Sequence, residues 1–242
     1  MNSETNVLII CAHAADFVWR SGGTIAQYTK ANANVSLVVL SFGSRGESND
    51  LWKIDGQTLE RVKKIRRAEA EKAAAILGVK DVEFWDLHDY PMPFEDETIN
   101  RLVRKMREVK PHIIITHSKN DAFNPDHENV SKAVTQAGSM ANAAGVRMEG
   151  LPNTKQAMIF GYEPHQSEVS LFMPDVLIDI TETYELKVQA MECFKAQKDL
   201  ISYYKIKAEM RGNHARRWSG NSSYKQAEAF TRYFPYVGSE FK

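Results

Sequence analysis

The sequence predicts an α/β fold of the Rossmann-like type, in which a mainly parallel sheet carries helices on both faces. Three observations support this prediction. Short apolar runs of strand length alternate with longer helical stretches, a pattern typical of βαβ units. The 242 residues are enough to bury the core of one large α/β domain. No repeat, low-complexity tract or linker divides the chain, so we expect a single domain over residues 1–242.

The strands and helices alternate in order along the chain. The predicted strands are residues 7–12, 35–41, 82–86, 112–117, 158–162 and 176–180. The predicted helices are residues 18–33, 57–77, 97–109, 129–144, 182–210 and 224–232. Gly78 and Pro111 end the second and third helices, because glycine adopts the left-handed conformation of a helix end and proline cannot continue a helix. A polar loop, residues 43–56, follows the second strand.

The composition excludes several classes of function. Lys plus Arg and Asp plus Glu both number 31, so no net field favours nucleic acid or an anionic membrane. No apolar stretch approaches the roughly 20 residues that a membrane span needs. The two cysteines form no CxxC motif, and the N-terminus lacks the basic region of a signal peptide. We therefore expect a cytoplasmic protein whose partners include neither nucleic acid nor a membrane.

Ligands of such sheets bind beyond the carboxyl ends of the strands. Five of the seven histidines fall at or near those ends. They are His13, His88, His117, His127 and His165.

His13, Asp16 and His127 are the candidate metal ligands. His13 and Asp16 lie three positions apart at the end of the first strand, and His127 follows the fourth strand. Two imidazoles and one carboxylate leave an open position on a tetrahedral Zn²⁺, as catalytic zinc sites require. A His-x-x-Asp pattern alone is more often a capping Asp beside an incidental histidine, but His127 at a second strand end favours the metal site. Fe²⁺, Co²⁺ or Mn²⁺ would suit the same ligands.

These residues also carry a family resemblance. Ala-His-Ala-Ala-Asp at residues 12–16, Gly-Gly at 22–23 and Asn-Pro-Asp-His at 124–127 stand in the order found in one enzyme family. The chain resembles the PIG-L/LmbE-like metal-dependent N-acetylglucosaminyl deacetylases over nearly its whole length. The resemblance implies their Rossmann-like fold, and it implies that His13, Asp16 and His127 bind the metal.

Two positions depart from the deacetylase pattern. Ala15 stands where those enzymes carry the general base, and Asn124 stands where they carry the histidine that stabilises the oxyanion. Removal of a general base typically costs ~10²–10⁴-fold in rate. Loss of an oxyanion donor costs a further ~10²–10³-fold. The sequence therefore disfavours amide hydrolysis.

Two further loops carry ionisable groups. Arg-Gly-Glu at residues 45–47 and Glu-Pro-His at 163–165 each follow a predicted strand. Glu47 alone is typical of a solvated loop carboxylate, and His165 alone is as typical of a surface loop as of an active site. Together with Ala15, however, they are similar to one branch of the family, the 4-oxalomesaconate (4-carboxy-2-hydroxymuconate) hydratases of bacterial gallate and protocatechuate breakdown. That resemblance implies that Glu47 positions and activates water on the metal, and that His165 is the catalytic acid.

The implied substrate is a small tricarboxylate, so we expect basic and amide side chains to bind it. The candidate substrate-binding residues are Arg45, Asn124, Arg211 and His214. The basic cluster around Arg211 is also typical of a solvated or intersubunit surface, and we expect a homo-oligomer.

Three functional hypotheses therefore follow. The first is a metal-dependent hydratase that forms 4-carboxy-4-hydroxy-2-oxoadipate in aromatic catabolism. The second is a zinc-dependent N-acetylglucosaminyl-type deacetylase, against which Ala15 argues. The third is a non-catalytic metal-binding homologue. The first agrees best with the residues, because hydration needs no base at residue 15.

Overall fold

A computed structural model describes residues 4–240, in which seven strands form one sheet in the order β3-β2-β1-β4-β5-β7-β6. The strands are β1 (Asn6–Cys11), β2 (Asn34–Val39), β3 (Asp81–Phe84), β4 (Ile113–His117), β5 (Met158–Tyr162), β6 (Val176–Asp179) and β7 (Ala227–Arg232). The helices are α1 (Asp16–Lys30), α2 (Asn49–Trp52), α3 (Leu59–Ile76), α4 (Asp96–Val109), α5 (Pro125–Asn142), α6 (Tyr184–Met191) and α7 (Leu200–Ser219), with a 3₁₀ turn at Lys195–Gln197. The predicted α/β class is confirmed.

The first five strands pair in parallel, and β7 pairs antiparallel with both β5 and β6. The chain adds β2 and β3 on one side of β1, and then adds β4 and β5 on the other side. The order therefore reverses between β1 and β4, and such a reversal leaves a crevice at the carboxyl ends of the two strands. The residues that follow β1 and β4 face this crevice.

Helices cover both faces of the sheet, as the alternating side chains of β1 show. Val7, Ile9 and Cys11 pack with residues of α1, α3 and α6, whereas Leu8 and Ile10 pack with residues of α4 and α5. Successive side chains of a strand point to opposite faces, so a strand buried on both sides reads as a continuous apolar run. No helix within residues 4–240 combines the length and the apolarity needed to cross a bilayer.

The helix predicted over residues 224–232 is wrong, because this segment forms β7. Alanine and glutamate favour a helix locally, but residues 227–232 form backbone hydrogen bonds with β5 on one side and β6 on the other. Glu228 is buried in this strand, where its carboxylate accepts hydrogen bonds from the backbone N–H groups of Gly23 and Thr24 and from Lys187 Nζ. Tertiary contacts therefore override the local helix propensity.

Most predicted boundaries shift by a few residues, and two regions differ more. The loop at residues 43–56 contains the short helix α2, and the helix predicted over 182–210 divides into α6 and α7. The 3₁₀ turn between them is held by the carboxylate of Glu69, which accepts a hydrogen bond from Lys195 N. As a result, α7 continues to Ser219, nine residues beyond the predicted end.

The glycine pair in α1 lets this helix approach the segment that follows β6. A Cβ atom built on Gly23 would lie 2.7 Å from Ile180 Cβ, closer than side chains tolerate. A Cβ atom on Gly22 would lie 3.4 Å from Lys187 Cγ, which is an ordinary contact. Only the second glycine of the pair is therefore required by packing.

We expect Gly23→Ala to lower the free energy of unfolding by about 1–3 kcal/mol, the usual cost of forcing an extra methyl group into a packed interior. Gly22→Ala is the matched control. It should leave stability within about 1 kcal/mol of the wild type, because alanine favours the helix and its methyl group makes only ordinary contacts with Lys187 and Leu77. Urea denaturation of the two variants measures the difference, and equal stabilities would contradict this account of the pair.

Candidate metal centre

The site lies at the carboxyl ends of β1, β2 and β4. His13 follows β1, Asp16 begins α1, and His127 lies in the first turn of α5. Glu47 comes from the loop after β2. The spacing of His13 and Asp16 has a local cause, because Asp16 Oδ2 accepts a 2.7 Å hydrogen bond from the backbone N–H of His13. The fold thus brings the three predicted metal ligands together and adds the Glu47 carboxylate.

The ligand atoms have the spacing of a metal site. His13 Nδ1 lies 3.2 Å from His127 Nε2 and 3.5 Å from Asp16 Oδ2, and His127 Nε2 lies 3.5 Å from Asp16 Oδ1. Glu47 Oε1 lies 3.2 Å from His13 Nδ1. Ligands bound tetrahedrally to Zn²⁺ at ~2.0–2.1 Å lie about 3.3 Å from one another. The donor set therefore fits one divalent cation.

A second pair of carboxylates orients the two imidazoles. His127 Nδ1 donates a 2.8 Å hydrogen bond to Asp121 Oδ2, and His13 Nε2 lies 3.2 Å from Asp126 Oδ2. Asp126 also accepts hydrogen bonds from the backbone N–H groups of Tyr90 and Met92. A carboxylate that accepts a hydrogen bond from the N–H of one ring nitrogen fixes the tautomer in which the lone pair of the other nitrogen is free to bind a metal. Sequence reasoning missed both roles, although both aspartates flank His127 in the sequence.

The charges at the site favour a cation. Burial opposes protonation of His13, but the carboxylates of Glu47, Asp126 and Asp16 outweigh it and raise the His13 pKa well above its usual range. Burial likewise raises the pKa of the Glu47 carboxyl, but the charge on His13 outweighs burial and lowers this pKa to about 2. In the absence of a metal, a proton on His13 therefore partly compensates the surrounding carboxylates.

His117 is buried beside the cluster but is not one of its donors. Its ring stacks on that of His127, with 3.9 Å between the ring centroids. Burial and the neighbouring His127 lower the pKa of His117 to about 3, and its Nε2 accepts a hydrogen bond from the backbone N–H of Ala12. His117 is thus a neutral side chain that packs behind His127. His88, the remaining strand-end histidine, is exposed.

A cavity of about 420 Å³ opens over the cluster. Its walls come from α1, α2, the segments that follow β2, β3, β4 and β5, the 3₁₀ turn and the start of α7. The charged and polar lining residues are Asp16, Arg20, Glu47, Asn49, Asp50, Tyr90, Asp121, Asn124, His127, His165, Gln197 and Tyr204. The lining includes the predicted site residues Glu47, Asn124 and His165.

Asn124 and Glu47 contact each other in this cavity. Asn124 Nδ2 donates a 3.1 Å hydrogen bond to Glu47 Oε1. The same carboxylate oxygen lies 3.8 Å from His127 Nε2. Asn124, at the position of the deacetylase oxyanion histidine, therefore orients the Glu47 carboxylate toward the cluster. Its own Oδ1 is buried without a partner among the described residues.

α7 holds the loop that carries His165. Lys207 Nζ donates hydrogen bonds to the carbonyl oxygens of Pro164 and His165, and the Tyr203 hydroxyl donates to the His165 carbonyl. The imidazole Nδ1 lies 3.3 Å from the Tyr204 hydroxyl. Burial, with the charges of Arg20 and Lys207, lowers the pKa of His165 to about 4. His165 is therefore uncharged at neutral pH in the free protein.

The structure does not bring three of the predicted substrate-binding residues to the cavity. Arg45 is exposed, and only its backbone N–H is held, by Asp89. Arg211 forms an ion pair with the buried carboxylate of Glu163, because α7 packs against the loop after β5. His214 lies beside Arg211 and stacks on the exposed ring of Trp218.

The cavity instead contains Arg20, which sequence reasoning missed. Arg20 lies four residues after Asp16 on α1, and this spacing places both side chains on the same face of the helix. That spacing was the signal available in the sequence.

Comparison with known proteins identifies the family. Residues 8–138 match the PIG-L family, described as GlcNAc-PI de-N-acetylase. The chain is 38% identical to a 4-oxalmesaconate hydratase from Pseudomonas putida, over 97% of this chain and 91% of that protein. It is 29% identical to a diacetylchitobiose deacetylase from Thermococcus kodakarensis, over 81% of this chain and 71% of that protein.

Comparison with a solved structure supports the same family relationship. The crystal structure of GalB, the 4-carboxy-2-hydroxymuconate hydratase from Pseudomonas putida, superposes with a TM-score of 0.94 at 37% identity, covering 98% of this chain and 100% of that one. The chain belongs to the PIG-L family.

We expect Asp121→Asn to weaken metal binding by about 10–100-fold, because loss of the carboxylate reduces the basicity of the His127 imidazole. Competition with a fluorescent zinc chelator measures the affinity. Asp50→Asn is the matched control, since Asp50 lines the same cavity but pairs with Lys53 at the surface. Equal zinc affinities in the two variants would show that Asp121 does not support the centre.

Proposed function

We propose that this PIG-L family member is a metal-dependent hydro-lyase that adds water to the conjugated double bond of 4-oxalomesaconate or its tautomer, 4-carboxy-2-hydroxymuconate. The product is 4-carboxy-4-hydroxy-2-oxoadipate. The observation that carries the proposal is that Glu47 and His165 line one cavity above the donor cluster. The near full-length similarity to a 4-oxalmesaconate hydratase sequence and to the crystal structure of a 4-carboxy-2-hydroxymuconate hydratase supports the same reaction.

The residues suited to hold the metal are His13, Asp16 and His127, with Glu47 Oε1 close to all three. Their nitrogen and oxygen donors suit Zn²⁺, and Fe²⁺, Co²⁺ or Mn²⁺ are alternatives. A divalent metal bound there would lower the pKa of a coordinated water molecule.

Glu47 would be the base of the reaction. Its carboxylate is ionised, and Asn124 holds it beside the cluster. In this position it accepts a hydrogen bond from the reacting water and takes the water's proton as the oxygen adds to carbon. The water molecule thus loses one O–H bond in this step, and the Glu47 carboxylate accepts the released proton.

His165 would be the acid that protonates the second carbon of the conjugated system. The loop and α7 hold its imidazole at the cavity wall. The imidazole is neutral in the free protein, but a bound tricarboxylate brings negative charge that stabilises its protonated form. The proton then passes from the ring to the carbanion as the water oxygen bonds to the other carbon, so the atoms of one water molecule are added.

Deacetylation needs groups that this site lacks. Ala15, the N-cap residue of α1, is fully buried and its methyl side chain cannot accept a proton. Addition of water to a conjugated double bond forms no tetrahedral acyl intermediate, so it needs neither that base nor the oxyanion histidine. A non-catalytic homologue, in turn, would have no use for Glu47 and His165 in one cavity.

The proposal extends to the setting of the enzyme. We assign it to gallate and protocatechuate catabolism in the cytoplasm. Two buried free cysteines, Cys11 and Cys193, are typical of a reducing compartment. The exposed apolar side chains of Phe123, Leu171 and Met173 support the expected homo-oligomer.

We expect the zinc-loaded protein to bleach the ultraviolet absorbance of 4-carboxy-2-hydroxymuconate, because hydration removes the conjugated double bond. A chelator should abolish the bleaching, and added metal should restore it. Release of acetate from N-acetylglucosaminides, measured in parallel, tests the deacetylase hypothesis. Deacetylation without bleaching would overturn the proposal.

Glu47→Gln and His165→Gln should each lower kcat by about 10²–10⁴-fold, since each removes a proton-transfer group. Glu71→Gln, on the exposed face of α3, is the matched control and should retain full activity. Steady-state kinetics of the three variants at equal zinc content give the comparison. Wild-type rates in Glu47→Gln would show that Glu47 is not the base, and absence of turnover in the zinc-loaded wild type would favour the non-catalytic hypothesis.

A further inference from the structure

We propose that Arg20 is the carboxylate-binding residue of this cavity, and that its guanidinium holds one carboxylate of the substrate between the metal centre and His165. The inference rests on the proposed function, which supplies the tricarboxylate. It assigns to Arg20 the part that the sequence suggested for Arg45 and Arg211, neither of which lines the cavity.

The charges of the cavity require such a residue. Among the described residues that line it, Arg20 is the one lysine or arginine. The acidic residues of the lining are Asp16, Glu47, Asp50 and Asp121. A polyanion entering this cavity would meet net repulsion from the side chains without the guanidinium, so Arg20 and the metal together provide the attraction.

The guanidinium of Arg20 has hydrogen-bond donors to spare. Its side chain is only 5% exposed, and its Nη1 donates to Asp121 Oδ2 over a long 3.3 Å. Its buried Nε has no hydrogen-bond partner among the described residues, and the nearest carboxylate oxygen paired with it, Asp16 Oδ1, is 3.9 Å away. Buried donors without acceptors are costly. A carboxylate that accepts two N–H bonds from one guanidinium would satisfy them.

The neighbouring side chains support an acceptor at this place. Trp19 also lines the cavity, and its buried Nε1 likewise has no partner among the described residues. The ring of Tyr162 lies under the guanidinium, with its centroid 5.6 Å from Arg20 Cζ, and helps to fix its plane. Trp19 Nε1 is thus a second buried donor without a partner among the described residues at this cavity.

The position of Arg20 links substrate binding to the acid. The groups whose charges act on His165 are Arg20 and Lys207, which lower its pKa, and Glu47 and Asp121, which raise it. A carboxylate bound to Arg20 offsets the guanidinium charge next to the imidazole, and so favours the imidazolium that the reaction needs. The bound substrate thus favours protonation of the His165 imidazole, which then protonates the substrate.

A purely structural role for Arg20 is the competing explanation. Asp121 Oδ2 accepts hydrogen bonds from both Arg20 and His127, so Arg20 could act only by holding the support of a metal ligand. Such a role would change the zinc affinity. A substrate-binding role would change the affinity for carboxylates at unchanged zinc content.

The test uses the full-length, zinc-loaded protein with propane-1,2,3-tricarboxylate as an unreactive probe. We expect Arg20→Gln to weaken probe binding, measured by calorimetry, at least tenfold and to raise the KM for the hydratase substrate, with zinc content equal to the wild type. Arg20→Lys keeps the charge without the paired donors, so it should recover part of the binding. Arg67→Gln removes an exposed arginine of α3 and should bind the probe like the wild type.

Each outcome decides the matter. Wild-type probe affinity and KM in Arg20→Gln would overturn the assignment, and so would loss of zinc in parallel with loss of binding in both Arg20 variants. If Arg20→Gln does not fold, the affinity of Arg20→Lys relative to Arg67→Gln gives the answer. Probe binding that depends on Arg20 in a protein without hydratase activity would support the assignment and refute the proposed reaction.

Discussion

The constraint on which the site depends is an excess of buried negative charge around two imidazoles. Asp16 and Glu47 face the ligand nitrogens of His13 and His127, while Asp126 and Asp121 hold the opposite nitrogens of the same rings. Such a cluster is costly to bury unless a cation compensates it. The parallel sheet supplies the place, since three strand ends and the starts of α1 and α5 converge there.

The family's donor set supports a different reaction here because the groups around it have changed. Ala15 removes one proton acceptor, and Asn124 binds Glu47. In the proposed reaction the base comes from the loop after β2, and the acid comes from the loop after β5. The same set of metal donors can therefore serve more than one reaction. The surrounding side chains decide whether water attacks an acyl carbon or a carbon–carbon double bond.

The sequence predicted the elements that follow from a local apolar pattern and the site residues that directly follow a strand. The five parallel strands follow from their apolar runs, and His13, Asp16 and His127 follow from their places after strands. The sequence-based prediction failed where contacts with residues distant in the sequence determine the structure. β7 is a strand because two neighbours bond to its backbone, and Arg211 is withdrawn from the cavity because Glu163 binds it. No local pattern contains either partner.

The central place of β7 in the second half of the sheet bears on the order in which the protein is made. In the described residues β6 joins the sheet only through β7, the last strand of the chain. The metal donors all precede residue 128, whereas β7 begins at Ala227. A ribosome therefore releases all four candidate donors about a hundred residues before the strand that joins β6 to the sheet. The candidate metal donors are therefore synthesised well before His165 and the α7 residues that complete the lining of the cavity.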